Sequence, residues 1–459
     1  MKKRIVICCD GTWNEPESAK DGQITPTNVL KMVRAIAPRD GADGTNQVIY
    51  YDHGIGTGAV GFLDKHIGGG TGYGISRNIR DCYSFIANNY ADGDDIFLFG
   101  FSRGAYTVRS LTGLLATVGL LSRNELRFVP KVYEYYHVDP EQRAGSRFYS
   151  LVKSLKTSAV PIKFLGVWDT VGALGIPTPV LGKVQTWVGA RWERVRVGFH
   201  DCNLAENVEN AYQALAIDER RGPFKPSVWD KNTGQRHVLQ AWFAGVHSNV
   251  GGGYSDAGIS DAALVWMTNR AMECGLEMSH EYIQARVAPN FHGKLGDSYS
   301  GGYKFLELLG VKSHLRAIGE HVKVEVGEMI HESVLERMNT HKDPVYRPEN
   351  ILGRDRAPNL INEGQRQYFR IGERTVPVFR ERKWSRKPIT GAGAIVPAED
   401  KVREPCTIED IARDGGARLR TDKALVVGDR LEFECDAIGR CPGEVVWTGN
   451  GELGIRFVA

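Results

Sequence analysis

The segment Gly100-Phe101-Ser102-Arg103-Gly104 sets a serine between glycines, directly after the apolar run Ile96 to Phe99 and directly before a helical pattern from Ala105. A hydroxyl on a sharp strand-to-helix turn is presented to an incoming carbonyl, and flanking glycines let neighbouring backbone pass close by. The Arg103 N–H then points at the oxyanion formed on attack, helped by the positive end of the following helix. A serine is a weak nucleophile without a base, and the base needs an acid to orient it. In this context the partners follow in the order serine, acid, histidine, each after a later strand. The run Pro161 to Trp168 ends in Asp169, and the run Leu239 to Ala244 ends in Gly245-Val246-His247-Ser248-Asn249, so Asp169 and His247 are the expected acid and base. His200, beside Asp201, is the rival base, but it follows a weaker strand. Gly11 and Thr12, after the first apolar run, are the natural source of a second oxyanion donor; a mere turn cap by Asp10 is an equally open reading of that loop.

Other patterns carry less. Gly56-Thr57-Gly58-Ala59-Val60-Gly61 matches a dinucleotide-binding glycine pattern but opens no clear helix. Asp10-Gly11-Thr12 is faintly similar to the loop of aspartyl phosphatases, yet Thr12 stands where their second acid belongs. Trp187 and Trp192, among Lys183, Arg191, Arg194 and Arg196, suit either a lid or peripheral contact with a lipid interface. The eight cysteines show no C-x-x-C and no regular spacing, so neither a zinc site nor a disulfide framework is expected, and a reducing compartment is.

The elements that must position these groups are legible in the first part of the chain. Strands are expected at Ile5 to Cys9, Val48 to Tyr51, Ile96 to Phe99, Ile162 to Trp168 and Val238 to Ala244. Helices are expected at Thr27 to Ile36, Ile75 to Tyr90, Tyr106 to Thr117, Leu204 to Ile217 and Asp261 to Cys274. Alternation of this kind predicts an α/β domain with a mostly parallel sheet flanked by helices, with residues 121–158 and 178–203 as insertions over the site. Beyond about residue 360 comes a basic stretch, Arg380 to Lys387, and then short β-runs between regularly placed glycines, which predicts a small all-β barrel. The expected domains are 1–365 and 380–459.

At 459 residues with a net charge of +3, the chain offers no basic footprint for a nucleic-acid polymer. The basic start Met1 to Arg4 is followed by an apolar run that Asp10 stops short of signal-peptide length, and no later stretch is apolar enough to span a bilayer. The expected location is the cytoplasm, with export by a route that reads no signal peptide left open.

The runs Cys8-Cys9-Asp10-Gly11-Thr12-Trp13-Asn14, Asn78-Ile79-Arg80-Asp81, Phe97 to Tyr106 and Gly245 to Tyr254 together resemble the α/β-hydrolase family of type VI secretion lipase effector catalytic domains. His331 to Val334 and Tyr346 to Asn350 look like that family's closing segment, so the resemblance spans roughly residues 3 to 355. It implies ester hydrolysis, in the best-known members on phospholipids, with Ser102, Asp169 and His247 at the triad positions and no metal or organic cofactor. The C-terminal part looks like a PilZ domain, the cyclic di-GMP receptor module. Arg382 and Arg386 match its R-x-x-x-R switch, whose guanidiniums grip phosphate and stack on guanine. Asp410 to Gly415 match its D/N-x-S-x-x-G motif, with Ala412 in place of the serine, which removes a hydroxyl ligand. The resemblance thus implies a serine esterase or lipase under cyclic di-GMP control. The rivals are a non-catalytic hydrolase-fold scaffold that reads cyclic di-GMP, and a phosphatase using Asp10.

Overall fold

The computed structural model describes residues 2–11, 19–20, 23–37, 45–54, 71–171, 204–230, 237–298, 313–320, 326–339, 345–352, 360–363, 366–371, 374–379, 391–398, 402–412, 416–435, 439–449 and 452–457. Two compact units divide the chain, Met1–Arg380 and Glu381–Ala459.

In the first unit the strands of the main sheet are β1 (Lys3–Cys9), β2 (Asn46–Asp52), β3 (Asp95–Phe101), β4 (Phe164–Trp168), β5 (Asn210–Ala216), β6 (His237–Phe243), β7 (Glu328–His331), β8 (Leu360–Glu363), β9 (Arg366–Ile371) and β10 (Arg374–Phe379). They form one sheet in the order β8-β9-β10-β7-β6-β5-β4-β3-β1-β2. From β2 through β7 to β10 every pairing is parallel, and only the β8-β9-β10 meander at one edge is antiparallel. Helices on the sheet faces bury the central strands on both sides, which explains unbroken apolar runs such as Ile5 to Cys9, each at most 2% exposed.

Three helices matter for the site. The first, α1 (Asn28–Ala35), is capped by the Thr27 hydroxyl, which accepts the Leu30 N–H at 3.1 Å. The second, α2 (Thr71–Asn89), lays Ile75, Ile79, Cys82, Tyr83 and Ile86 into the core, a 3- and 4-residue spacing along one face. The third, α3 (Arg103–Val118), leaves β3 through Ser102. A further helix, α4 (Gly258–Glu273), is tied to α1 by a buried ion pair of Lys31 Nζ and Asp261 Oδ1 at 2.5 Å.

Two expectations are corrected. The predicted helix Leu204 to Ile217 is instead strand β5: Ala211 to Ala216 are all buried, and a short run apolar on both faces carries no period that separates helix from strand. The domain expected to end at residue 365 runs on to 380, because β9 and β10 pair into its sheet through Ile330↔Val378 and His331↔Phe379. The insertion 121–158 is largely helical, while 178–203, with Trp187, Trp192 and His200, lies outside the described residues, as do Gly56 to Gly61.

The second unit contains β11 (Gly391–Pro397), β12 (Glu404–Ala412), β13 (Gly416–Arg420), β14 (Arg430–Cys435), β15 (Gly439–Gly449) and β16 (Glu452–Phe457). All its pairings are antiparallel, and β11 pairs with both β12 and β14. Alternate residues face a core of Ile395, Ile408, Leu419, Leu431, Phe433, Val445 and Ile455.

Candidate active site

In the sheet order, β1 has β2 on one side and β3 on the other, so the chain direction of winding reverses there. Ligands of open parallel sheets bind in the crevice at such a point, outside the carboxyl ends of the strands. The sequence-predicted residues lie at those ends: Asp10 and Gly11 after β1, Ser102 after β3, Asp169 after β4 and His247 four residues past β6.

Ser102 has φ 58° and ψ −120°, and Asp169 has φ 42°. Among the described residues these are the only non-glycine positions with positive φ. Such backbone costs about 1–3 kcal/mol at each residue and persists only where the surroundings over-determine it. Here the Ser102 N–H donates to Trp168 O at 3.1 Å, and the Asp169 N–H donates to Ala214 O at 2.7 Å, so each turn is pinned to the next strand of the sheet. The glycine after the elbow is required by close approach. A Cβ on Gly104 would stand 2.1 Å from Cys9 O and 2.5 Å from Asp10 O, so the loop after β1 lies directly against the start of α3.

Asp169 is fully buried and its Oδ2 lies 2.5 Å from His247 Nδ1. A guanidinium grips the same carboxylate: Arg316 reaches Oδ1 at 2.5 Å and Oδ2 at 3.0 Å, and also donates to the carbonyls of Ala216 and Phe224. The Ala216 N–H completes the set at 3.0 Å from Oδ1. Burial alone would raise the Asp169 pKa, but the Arg316 charge and the His247 contact outweigh it and hold the carboxyl well below the usual range.

The imidazole of His247 packs against two rings, Phe101 at 4.6 Å between ring centroids and tilted by 32°, and Phe224 edge-on at 5.0 Å. Phe101 immediately precedes Ser102, so this contact sets the histidine ring against the residue before the serine. Gly251 makes room for it, since a Cβ there would fall 1.9 Å from the Phe101 ring. The His247 N–H donates to Glu219 Oε2 at 3.3 Å, and Glu219 also takes a two-pronged contact from Arg221 at 2.8 and 2.9 Å. Burial pushes the Glu219 carboxyl up and Arg221 pulls it down more strongly, leaving it below the usual range. Asp218, beside it, accepts from the Gly245 N–H at 2.6 Å and the Tyr346 hydroxyl at 2.8 Å, which fixes the backbone leading to His247.

Asp10 is buried, and its carboxylate accepts from the Gly11 N–H at 2.7 Å, Thr27 Oγ1 at 2.5 Å and Tyr51 OH at 2.9 Å. These contacts hold the loop after β1 in place. The same contact engages the Gly11 N–H, while Thr12 lies outside the described residues. The expected nucleotide ligands Arg382, Arg386 and Gly415 also lie outside them; Asp410 stands in β12, opposite Arg418 of β13, next to a register shift. A separate cleft of about 590 Å³, lined by Pro161, Lys163, Asn207 and His237, opens at the other, amino-terminal end of β4 to β6.

Arg316, Glu219 and Phe224 were not legible in the sequence. The one available signal was indirect: a buried acid at a strand end needs a cation, but nothing marks which arginine supplies it.

Residues 3–270 match the model of the type VI secretion system phospholipase effector Tle1-like catalytic domain, more than half of the chain. The chain belongs to this family. Residues 380–459 match the PilZ domain model, so a Tle1-like catalytic domain is followed by a PilZ domain. Arg316 falls beyond the matched catalytic segment although its side chain grips Asp169. A curated relative, an uncharacterised protein of Saccharomyces cerevisiae, is 28% identical over 246 residues, 49% of this chain and 32% of its own. The chain thus spans about a third of that relative's length. A crystal structure of an uncharacterised protein from Pseudomonas aeruginosa covers 63% of this chain and is itself covered over 49%, at 16% identity and a TM-score of 0.39. A crystal structure of the PilZ domain of CeSA from a cellulose-synthesising bacterium covers 16% of this chain and is covered over 81%, at 19% identity and a TM-score of 0.15. The family assignment rests on the sequence match and not on these superpositions.

Proposed function

We propose that the first unit is an α/β-hydrolase that cleaves carboxylic esters of lipids, phospholipids foremost, by a serine mechanism. The observation that carries the reading is the pairing of positive-φ Ser102 and Asp169 with a histidine that bonds the acid at 2.5 Å and packs against the residue before the serine. Ser102 Oγ attacks the ester carbonyl while His247 takes its proton, then returns it to the departing alcohol. Water repeats the sequence on the acyl-enzyme. Asp169 keeps the Nδ1 proton of His247 directed at itself and stabilises the imidazolium, and Arg316 keeps Asp169 ionised. The oxyanion is held by the Arg103 N–H, which as a first-turn amide has no acceptor within its own helix, and by the Thr12 N–H, since Asp10 occupies that of Gly11. Substrate arrives from a lipid interface. No helix among the described residues is long and apolar enough to cross a membrane, so contact with lipid is peripheral in this reading.

The second unit is proposed as a PilZ barrel that binds cyclic di-GMP through Arg382, Arg386, Asp410 and Gly415 and tunes the esterase. The test of the catalytic reading is an activity-based fluorophosphonate probe. Wild-type protein labels at Ser102, labelling disappears in Ser102→Ala and His247→Ala, and chelators do not silence it. Labelling at another serine, or none in a folded protein that hydrolyses phospholipid, would overturn it.

A further inference from the structure

The carboxyl end of β1 carries a second cluster. Cys9 ends β1, Asp52 ends the neighbouring β2, and Cys82 projects from α2. One potential ligand atom from each lies within 4.8 Å of the other two. The two sulfurs are 3.5 Å apart, and Cys9 and Cys82 are 2% and 0% exposed. The Asp52 Oδ1 accepts the Gly54 N–H at 3.0 Å, but Oδ2 is closed off from solvent and has no hydrogen-bond partner. An unpartnered buried carboxylate oxygen is costly and calls for an explanation.

Two thiolates on one tetrahedral cation, at metal–sulfur distances of about 2.3 Å, stand roughly 3.8 Å apart, whereas a disulfide needs about 2.05 Å. The observed separation is close to the former. Simple packing of two thiols accounts for the sulfur contact but leaves Asp52 Oδ2 without a partner. We propose that Cys9, Cys82 and Asp52 form a structural site for a soft divalent cation of the zinc class, supplying two thiolates and one carboxylate, with water in the fourth position. The softness of the donor set excludes magnesium and calcium as occupants. The site adjoins the loop that flanks Ser102. Cys9 precedes Asp10, and Gly54 lies so close to Gly11 that a Cβ there would be 2.6 Å from Gly11 O. An occupied site therefore braces this loop while taking no part in bond making.

The experiment uses the reduced, metal-free full-length protein titrated with zinc against a chromophoric chelator, and separately with cobalt. The expected result is one equivalent bound, with cobalt giving thiolate charge-transfer absorption and the visible bands of a tetrahedral site. Cys82→Ser should abolish the charge-transfer signal, and Asp52→Asn, at a partly exposed position that leaves the core untouched, should weaken binding by at least about tenfold. Cys274→Ser, outside the cluster, should change neither. The proposal is overturned if wild-type protein retains no cation at micromolar zinc. It is equally overturned if Asp52→Asn binds as well as wild type, if the signal depends on Cys274, or if the reduced protein takes up no metal while mild oxidation closes Cys9 and Cys82 into a disulfide.

Discussion

Replacing Arg316 by methionine tests the electrostatic core of the site, because it removes a charge and keeps much of the volume. In the wild type the guanidinium makes two contacts to Asp169 and two to main-chain carbonyls, at 2.5 to 3.0 Å, in a setting where Arg316 is 2% and Asp169 0% exposed. Arg316→Met leaves the carboxylate with only the Ala216 N–H and His247. Breaking a buried ion pair from one side costs about 3–5 kcal/mol. The sign with pH follows from the depressed pKa of Asp169. Its ionisation stabilises the fold above the unfolded carboxyl value of about 3.9 and ceases to do so as pH falls through the lower folded value. Without Arg316, burial dominates, the folded pKa rises, and the contribution at neutral pH disappears. Urea denaturation followed by the fluorescence of the buried Trp168, Trp229, Trp242 and Trp266 should therefore show a loss of about 3–5 kcal/mol at pH 7 that narrows towards pH 3. An Asp169 that holds its proton no longer stabilises the imidazolium, so kcat on a phospholipid or short-chain ester should fall by roughly thirtyfold, about 2 kcal/mol. Arg316→Lys keeps the charge without the fork and should fall between the two. A stability change within about 1 kcal/mol, flat with pH, together with activity within about threefold, would refute the reasoning.

If Ser102, His247 and Asp169 form the proposed triad, Ser102→Ala should remove hydrolysis by several orders of magnitude and the double variant with His247→Ala should be little worse than either alone, because such residues act as a unit. Ser102→Gly should be equally inactive yet more stable than Ser102→Ala by about 1–3 kcal/mol, since glycine adopts φ 58° without strain; equal stabilities would show that the elbow is not strained. Gly104→Ala, which drives a methyl into Cys9 O, should cost activity and stability together, whereas Gly145→Ala, with nothing within 4 Å of the added carbon, should be neutral in both assays. For the PilZ domain, calorimetry of the full-length protein should show cyclic di-GMP binding that Arg382→Ala and Arg386→Ala abolish. Restoring the motif's hydroxyl with Ala412→Ser should tighten it by about tenfold, the worth of roughly 1–2 kcal/mol for one hydrogen bond to a charged phosphate.

The parts of the candidate site legible in the sequence are those whose pattern is local. Ser102 could be read because strand, glycines and helix lie within about twenty residues, and Asp169 and His247 because each follows a recognisable apolar run. Local pattern fails where burial is total. Strand β5 reads as a helix because neither face meets water, and the β9-β10 hairpin reads as linker because its partner β7 is remote and too short to announce itself. It fails again where one residue's role depends on distant chain. Arg316 is 147 residues from Asp169, and Cys9 and Cys82 are 73 apart. No spacing rule connects such pairs; only the winding of the sheet brings them together.

That winding also explains why strain and charge gather where they do. Parallel strands deliver their carboxyl ends to one edge, so the loops after β1, β3, β4 and β6 must share a small volume in which backbone groups outnumber regular partners. Ser102 and Asp169 meet this by leaving the ordinary backbone regions while donating their N–H groups to the next strand in the sheet, Ser102 to β4 and Asp169 to β5. A carboxylate so enclosed cannot remain charged without a cation, and a histidine cannot be oriented by an uncharged acid. In the proposed mechanism the guanidinium of Arg316 meets both needs at once, so a residue outside the matched catalytic segment would belong to the working unit, and truncating the chain at residue 270 should abolish the proposed esterase activity. A truncated 1–270 protein that folds and labels with fluorophosphonate at the wild-type rate would show instead that Asp169 stays ionised by some other means.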